Sequence, residues 1–239
     1  MPDIHFGSLW AATAGIVRRE QALLVPVAGL FLFVPQLLAN RILGDATPDQ
    51  LLHGNPLLLV ALLAGLVVMT LVGQTAIVAL VLGSADGRGL SVRGALGTAI
   101  ALLPAALALT LIQGLVVFAG TMLLILPGLY AMARLVVALP ALIAGSGDAL
   151  AALRQSWRLT EGHGFRILGM LLLLIAGFLV LTVAISGLGH AAGIVGAAAG
   201  GSWGLARWLV ELVGVGASTA ISVYYFAFVA ILYQALAVR

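Results

Sequence analysis

The chain has 239 residues, of which 63% are hydrophobic and 8% charged, at a mean hydropathy of +1.21. Soluble domains carry about one quarter charged residues, so this chain has too few to cover a water-soluble globule, and its apolar excess needs lipid as solvent. A formal charge of +3, carried by scattered arginines without any lysine, excludes a nucleic-acid-binding surface, and the absence of cysteine excludes disulfides, thiolate metal sites and cysteine nucleophiles.

Length therefore counts spans rather than soluble domains, at roughly 20 apolar residues per span. Residues 4–19 read as an amphipathic helix. Phe6, Leu9, Trp10, Thr13, Ile16 and Val17 fall on one arc, and Ser8, Gly15, Arg18 and Arg19 on the other. That pattern suits a helix lying in the headgroup plane; a plain extension of the first span is the other reading. Span one covers about 21–38, with Pro26 and Pro35 near its ends. Its apolar run is long and has no small-residue cleavage site behind it, so it is expected to stay attached rather than act as a signal peptide.

The loop 40–55 holds Arg41, Asp45, Asp49 and His53 and closes on the Asn55-Pro56 turn signal. Span two covers about 57–82, long enough to tilt or protrude. A polar break with Ser84, Asp86, Arg88, Ser91 and Arg93 leads to span three, about 99–125. Leu126-Pro127-Gly128 reads as a tight turn, and span four covers about 129–144 with Pro140 as its expected kink. Residues 148–160 read as a second interfacial helix, with Asp148 as N-cap and Leu150, Leu153 and Trp157 as an apolar stripe. Span five covers about 165–188. The Gly- and Ala-rich stretch 189–204 is poor in bulky residues and reads as a loop or re-entrant turn, and span six lies within about 212–236.

With the N-terminus placed in the cytoplasm, the inner segments hold eight arginines (Arg18, Arg19, Arg88, Arg93, Arg154, Arg158, Arg166 and Arg239) and the outer loops two, Arg41 and Arg207. That bias predicts both termini inside. An arginine-bearing amphipathic stretch precedes a pair of spans three times, starting near Gly7, Leu90 and Gly147. Either an internal repeat or a plain series of hairpins with positive inner loops gives this pattern.

The run Leu126-Pro-Gly-Leu-Tyr-Ala-Met-Ala-Arg134, then Ala138-Leu-Pro-Ala-Leu142, then Ala149-Leu-Ala-Ala-Leu-Arg-Gln-Ser-Trp-Arg-Leu-Thr-Glu-Gly-His163 resembles a large family of bacterial multispan membrane proteins. The family is known as YciC-like, or as the membrane domain of glycerophosphoryl diester phosphodiesterases. The resemblance covers about Leu126–Leu174; the remainder agrees in hydropathy and span count. It implies a six-span bacterial inner-membrane protein. In some relatives the domain is fused to a soluble phosphodiesterase barrel, and no stretch here corresponds to that barrel, so no phosphodiesterase residues carry over. Ser146-Gly147 departs from relatives, which more often carry an acidic residue after the fourth span.

Arg134 is the most informative single residue. It lies about 10 Å into span four from its outer end at 1.5 Å per residue, where a charge usually faces the bundle interior or water. Glu211, at the outer start of span six, is the proposed partner. Two plainer readings stand beside this pair: Arg134 snorkels outward, or Glu211 pairs with Arg207 four residues earlier. Gln74, Gln113 and Gln234 lie in spans, where such amides usually cross-link helices; lining a permeation path is the sharper reading. Arg154, Trp157 and Arg158 suit anionic lipid headgroups, with passive anchoring of a loop as the plainer reading, while Ser156 and Thr160 read as interfacial polar residues. The four histidines have no metal spacing, although His53, Asp45, Asp49 and His190 could be drawn into a site, and no nucleophile elbow surrounds any serine.

The expectation is an all-α polytopic transmembrane bundle of about six spans plus two or three interfacial helices. It has no catalytic residue, no cofactor and no metal. It is expected to organise or sense the bilayer or to scaffold a partner, or else to transport a lipid or small solute. The expected partners are membrane lipids, a second copy or another protein, and not nucleic acid.

Overall fold

A computed structural model describes residues 6–44, 55–85, 87, 89–198 and 204–237. Asp45, Asp49 and His53 lie outside the described residues, as does the side chain of His190. Nearly all the described residues are helical, and none of them forms a strand.

Helix α1 (Phe6–Arg19) is followed by α2 (Gln21–Ala28), a π turn (Gly29–Phe33) and α3 (Val34–Gly44), which together make the first span. The π turn has a local cause. Pro35 lacks the N–H that would meet the carbonyl of Phe31, and the ladder widens so that the Val34 N–H reaches Gly29 O instead. Helix α4 (Pro56–Ala85) is the second span, begun by Asn55, whose Oδ1 accepts from the N–H groups of Leu57 and Leu58.

The polar break ends at Ser91, whose Oγ accepts from Gly94 N at 3.2 Å and starts α5 (Val92–Ala101). Here the structure corrects the expected start of span three. Ala99 belongs to α5, and the span proper is α6 (Leu103–Leu123), because Pro104 sits in the first turn of a new helix, where its missing N–H has no intrahelical partner to lose.

Helix α7 (Ile125–Leu135) follows after the single extended residue Leu124. The tight turn is thus earlier than Leu126-Pro127-Gly128, which form the first turn of α7. A side chain on Gly128 would lie 2.1 Å from Thr121 Oγ1 and 2.7 Å from Thr121 N, so the glycine permits the close α6–α7 approach. Pro140 breaks the fourth span at Val136–Val137, and the span resumes as the short α8 (Ala138–Ala141) and a second π turn, Leu142–Ser146.

Gly145 (φ +140°) and Gly147 (φ +61°) reverse the chain. Asp148 caps α9 (Ala149–Leu159), its carboxylate accepting from Ala151 N at 3.1 Å. Helix α10 (Gly164–Ala198) and helix α11 (Gly204–Ala237) complete the chain. The stretch expected as a loop from Gly189 is therefore helical as far as Ala198: its alanines carry strong helix propensity that outweighs the scattered glycines.

Six of these helical segments are long and apolar enough to cross a membrane: Gln21–Leu43, Leu57–Ala85, Leu103–Leu123, Ile125–Gly145, Gly164–Ile185 and Trp208–Ala237. The short helices pack against them in a recurring way. Helix α5 folds back on α4, the second helix of its preceding pair. Helix α9 folds back on the fourth span in the same manner, and α1 packs on α11, the second helix of the last pair. Each of the three arginine-bearing stretches thus packs against a span of the bundle.

The core lies in the half of the bundle that these short helices reach. Ile77, Val78 and Val81 of α4, Val137 and Leu142 of the fourth span, and Phe228 and Leu232 of α11 are fully buried there. In the other half, large apolar residues such as Leu111, Leu115 and Phe118 of α6 and Leu179, Val180 and Val183 of α10 face outward, as lipid-facing residues do. The exposed arginines of α1 and α9, Arg18, Arg19, Arg154 and Arg158, lie on the opposite side of those helices from their buried residues.

Candidate functional site

Arg134 is 4% exposed. It sits on α7 one turn after Tyr130, so the two side chains share a helix face. Its guanidinium lies 5.9 Å from the Tyr130 ring centre and 4.7 Å from that of Trp157 on α9, at a distance for cation–π attraction. Tyr130 and Trp157 meet edge to face with centres 6.5 Å apart, and Tyr130 also meets Phe165 at 5.3 Å. Gly164 closes the cradle: a Cβ there would fall 2.8 Å from Tyr130 Cε2 and 3.2 Å from Arg134 Cδ. The start of α10 therefore touches the arginine. Arg134 Nε is buried without a hydrogen-bond partner among the described residues.

The backbone of Arg134 is equally engaged. The break at Val136–Val137 frees its carbonyl from the helical ladder, and Ser156 Oγ donates to it at 2.8 Å and Thr160 Oγ1 at 3.1 Å. Both residues are fully buried, which corrects their reading as interfacial residues. The buried face of α9 is made of Ala149, Ala152, Leu153, Ser156 and Thr160, while Leu150 and Trp157 of the expected apolar stripe face outward. Small residues win that face because they let α9 approach the fourth span closely. Gln155 Nε2 adds a hydrogen bond to Tyr233 Oη of α11 at 3.3 Å.

The structure does not join Arg134 to Glu211. Glu211 pairs with Arg41 at 2.5 Å, and the Arg41 guanidinium lies 3.6 Å from the centre of the Trp208 ring. The reason is topological. Helix α9 runs back along span four and brings Thr160–Gly164, chain that the arginine bias assigns to the inner side, up to Arg134. Glu211 meets instead the end of span one. The pair ties α3 to α11 and predicts a clear result. A double-mutant cycle of Arg41→Ala and Glu211→Ala, followed by thermal unfolding in detergent, is expected to show coupling above about 0.5 kcal/mol; Arg134→Ala combined with Glu211→Ala is expected to be additive.

A second polar cluster fixes the α1–α2 corner to the end of span two. Arg19 Nη2 donates to Ser84 O at 3.2 Å and Ser84 Oγ at 3.0 Å, and Ser84 Oγ donates to Glu20 at 2.6 Å.

Between spans one, two, five and six, with Thr110 of span three also on the wall, lies a cavity of about 930 Å³. Its wall is mostly apolar, with Leu66, Val67 and Phe178 among the lining residues, and Gln36, Thr70, Gln74 and Tyr224 supply polar groups. Trp10 of α1 lines it too and stacks on Tyr224 at 5.7 Å. Of the three span glutamines only Gln74 lies there. Gln113 is half-buried on α6, and Gln234 is half-buried near the end of α11. Gln36, which sequence reasoning passed over, also lines the cavity and accepts from Ser218 Oγ at 3.0 Å. Arg154, Trp157 and Arg158 are exposed together on the outer face of α9. Among the described residues no three His, Asp or Glu side chains gather in a metal-holding group.

Six apolar spans and an intramembrane arginine cradle define a multi-pass α-helical membrane protein. The chain belongs to the family described as the membrane domain of glycerophosphoryl diester phosphodiesterase, whose profile matches residues 106–238. The matched region runs from α6 to α11 and includes the whole Arg134 cradle. No curated protein and no solved structure matches the chain significantly.

Proposed function

We propose that this protein is a non-catalytic lipid-binding protein of a bacterial inner membrane, with both termini in the cytoplasm, that organises the bilayer by holding a phospholipid between its spans. The cavity carries this reading. Its volume of about 930 Å³ is at the upper end of the range of ligand sites. An apolar wall with a few polar groups suits an acyl chain with its ester region beside Gln36, Gln74 and Tyr224. The family match supports it in part, because the matched domain is named as a membrane domain and not as the phosphodiesterase itself. Arg154, Trp157 and Arg158 add an exposed cationic and aromatic face for anionic headgroups. The transport reading keeps only Gln74 of its three glutamines at this cavity. A protein partner or a second copy remains compatible with a lipid-binding role and has no feature of its own in support.

The test uses Trp10 as the reporter, in a variant whose other tryptophans are phenylalanine. A phospholipid brominated on its acyl chain is expected to quench Trp10 saturably in detergent. Filling the cavity with Thr70→Phe and Leu66→Phe together is expected to weaken that binding at least tenfold. Equal quenching in the filled variant would mean that Trp10 meets only bulk lipid, and would sink the proposal. The same protein is expected to leave glycerophosphodiesters unhydrolysed.

A further inference from the structure

The Arg134 cradle lies apart from the cavity, and the two share no lining residue. Each acidic side chain in the described residues is placed elsewhere. Glu211 is held by Arg41, Glu20 by Arg19 and Ser84, Asp148 caps α9, and Glu161 is exposed to the surroundings. Arg134 is thus a buried cation with no carboxylate against it among the described residues. Such a charge is expensive to bury, and two aromatic faces offset only part of that.

One further feature raises the local positive potential. The first N–H groups of a helix have no intrahelical partner and carry the positive end of its dipole. Those of α10, a helix of 35 residues, start at Gly164 against Arg134 itself. A buried guanidinium beside a helix N-terminus is what an oxyanion binds to.

We infer that the cradle of Arg134, Tyr130, Trp157 and Gly164 is a phosphate-binding site, filled by the phosphodiester of a lipid headgroup or by free phosphate. The guanidinium supplies charge and a planar pair of donors. The amide groups at the start of α10 supply the remaining donors, and Trp157, 42% exposed, forms the rim. The side chain of Arg134 is nearly closed off, so the anion enters past Trp157 and reports its arrival to that ring.

The experiment uses the full chain in neutral detergent with Trp10, Trp203 and Trp208 replaced by phenylalanine, leaving Trp157 as the only indole. Its emission is titrated with dioctanoyl phosphatidylglycerol, with dioctanoylglycerol, which has the same tails and no phosphate, and with inorganic phosphate. The site predicts a saturable change with the phospholipid and none with dioctanoylglycerol. If inorganic phosphate fails to compete, the ligand is the lipid headgroup. If inorganic phosphate alone gives the change and displaces the lipid, the ligand is the free ion. Arg134→Gln is expected to weaken binding at least tenfold, while Thr70→Phe in the separate cavity leaves it unchanged. No response to either phosphate source in the unmutated-arginine protein overturns the inference, whatever the folding of the Arg134 variant. So does an equal response to dioctanoylglycerol. Glu161→Gln supplies a last check: if it lowers the unfolding temperature as much as Arg134→Gln does, Glu161 is the internal partner and the site is not a ligand site.

Discussion

Replacing Ser156 with alanine and Thr160 with valine together is expected to destabilise the protein by about 1–3 kcal/mol, the usual cost of leaving a buried carbonyl without a donor. Each single replacement is expected to cost much less, because the other hydroxyl still reaches Arg134 O. The double loss should therefore exceed the sum of the singles, and thermal unfolding in detergent reads the difference. The effect belongs to the break that Pro140 imposes on the fourth span. That break frees the carbonyl, and α9 folds back to satisfy it. The same contact sets Trp157 over the guanidinium, so the double variant should also shift Trp157 emission before it unfolds. Additive single effects would mean that water or a rearranged backbone satisfies the carbonyl instead, and α9 would then be held by its apolar contacts alone.

The short helices decide where the polar chemistry of this protein sits. Helices α1, α5 and α9 carry the arginines of their stretches outward and present small or hydroxyl-bearing residues inward: Thr13 on α1, Ala95 and Ala99 on α5, Ser156 and Thr160 on α9. Thr13 returns a hydrogen bond to the carbonyl four residues earlier, at 2.8 Å, while the single hydroxyl hydrogen of Thr160 is shared between Ser156 O at 2.8 Å and Arg134 O at 3.1 Å. A hydroxyl satisfied by its own helix can be buried against a neighbouring span at little cost. Such a face is apolar in effect while reading as polar in a sequence, and this is why Ser156 and Thr160 were legible as polar residues and not as packing residues. It also accounts for the misplaced stripe on α9, since Leu150 and Trp157 look more core-like than Ala152 or Ser156 by residue type alone.

Other features were open to the sequence because their causes are local. Span number follows from apolar run length, the Asp148 cap from its side chain and the residues after it, and the fracture of span four from Pro140. The Tyr130–Arg134 contact was also legible in principle, as two residues one helical turn apart. The partner of Glu211 was not. Arg41 lies 170 residues away, and only the packing of span one against span six selects it over Arg134 or Arg207. Likewise the stretch from Leu90 was legible but the end of α5 was not, because its apolar residues run into span three and only Pro104 marks the seam. Sequence showed that Arg134 needs a partner, and the fold determines what surrounds it: two rings, a helix start and no described carboxylate.

The second large effect is expected at Gly73. A Cβ there would lie 2.5 Å from Phe31 Cβ and 3.3 Å from both the carbonyl carbon and oxygen of Phe31. Those atoms belong to the π turn of span one, whose backbone is set by Pro35 and cannot swing aside as a side-chain tip could. Gly73→Val is therefore expected to force spans one and two apart, at about 1–3 kcal/mol or more. Gly65→Ala serves as the control on the same helix. Nothing lies within 4 Å of its Cβ position, so the change should be neutral or slightly stabilising through helix propensity. The consequence reaches the cavity, because Leu32 follows Phe31, Leu71 and Gln74 flank Gly73, and all three line its wall. Quenching of Trp10 by a brominated lipid should thus weaken in Gly73→Val and persist in Gly65→Ala, while the response of Trp157 to phosphate stays intact in both. Loss of both responses in Gly73→Val would show that the cavity and the Arg134 cradle depend on one cooperative bundle. Loss of the first alone would establish two independently built sites in one set of spans.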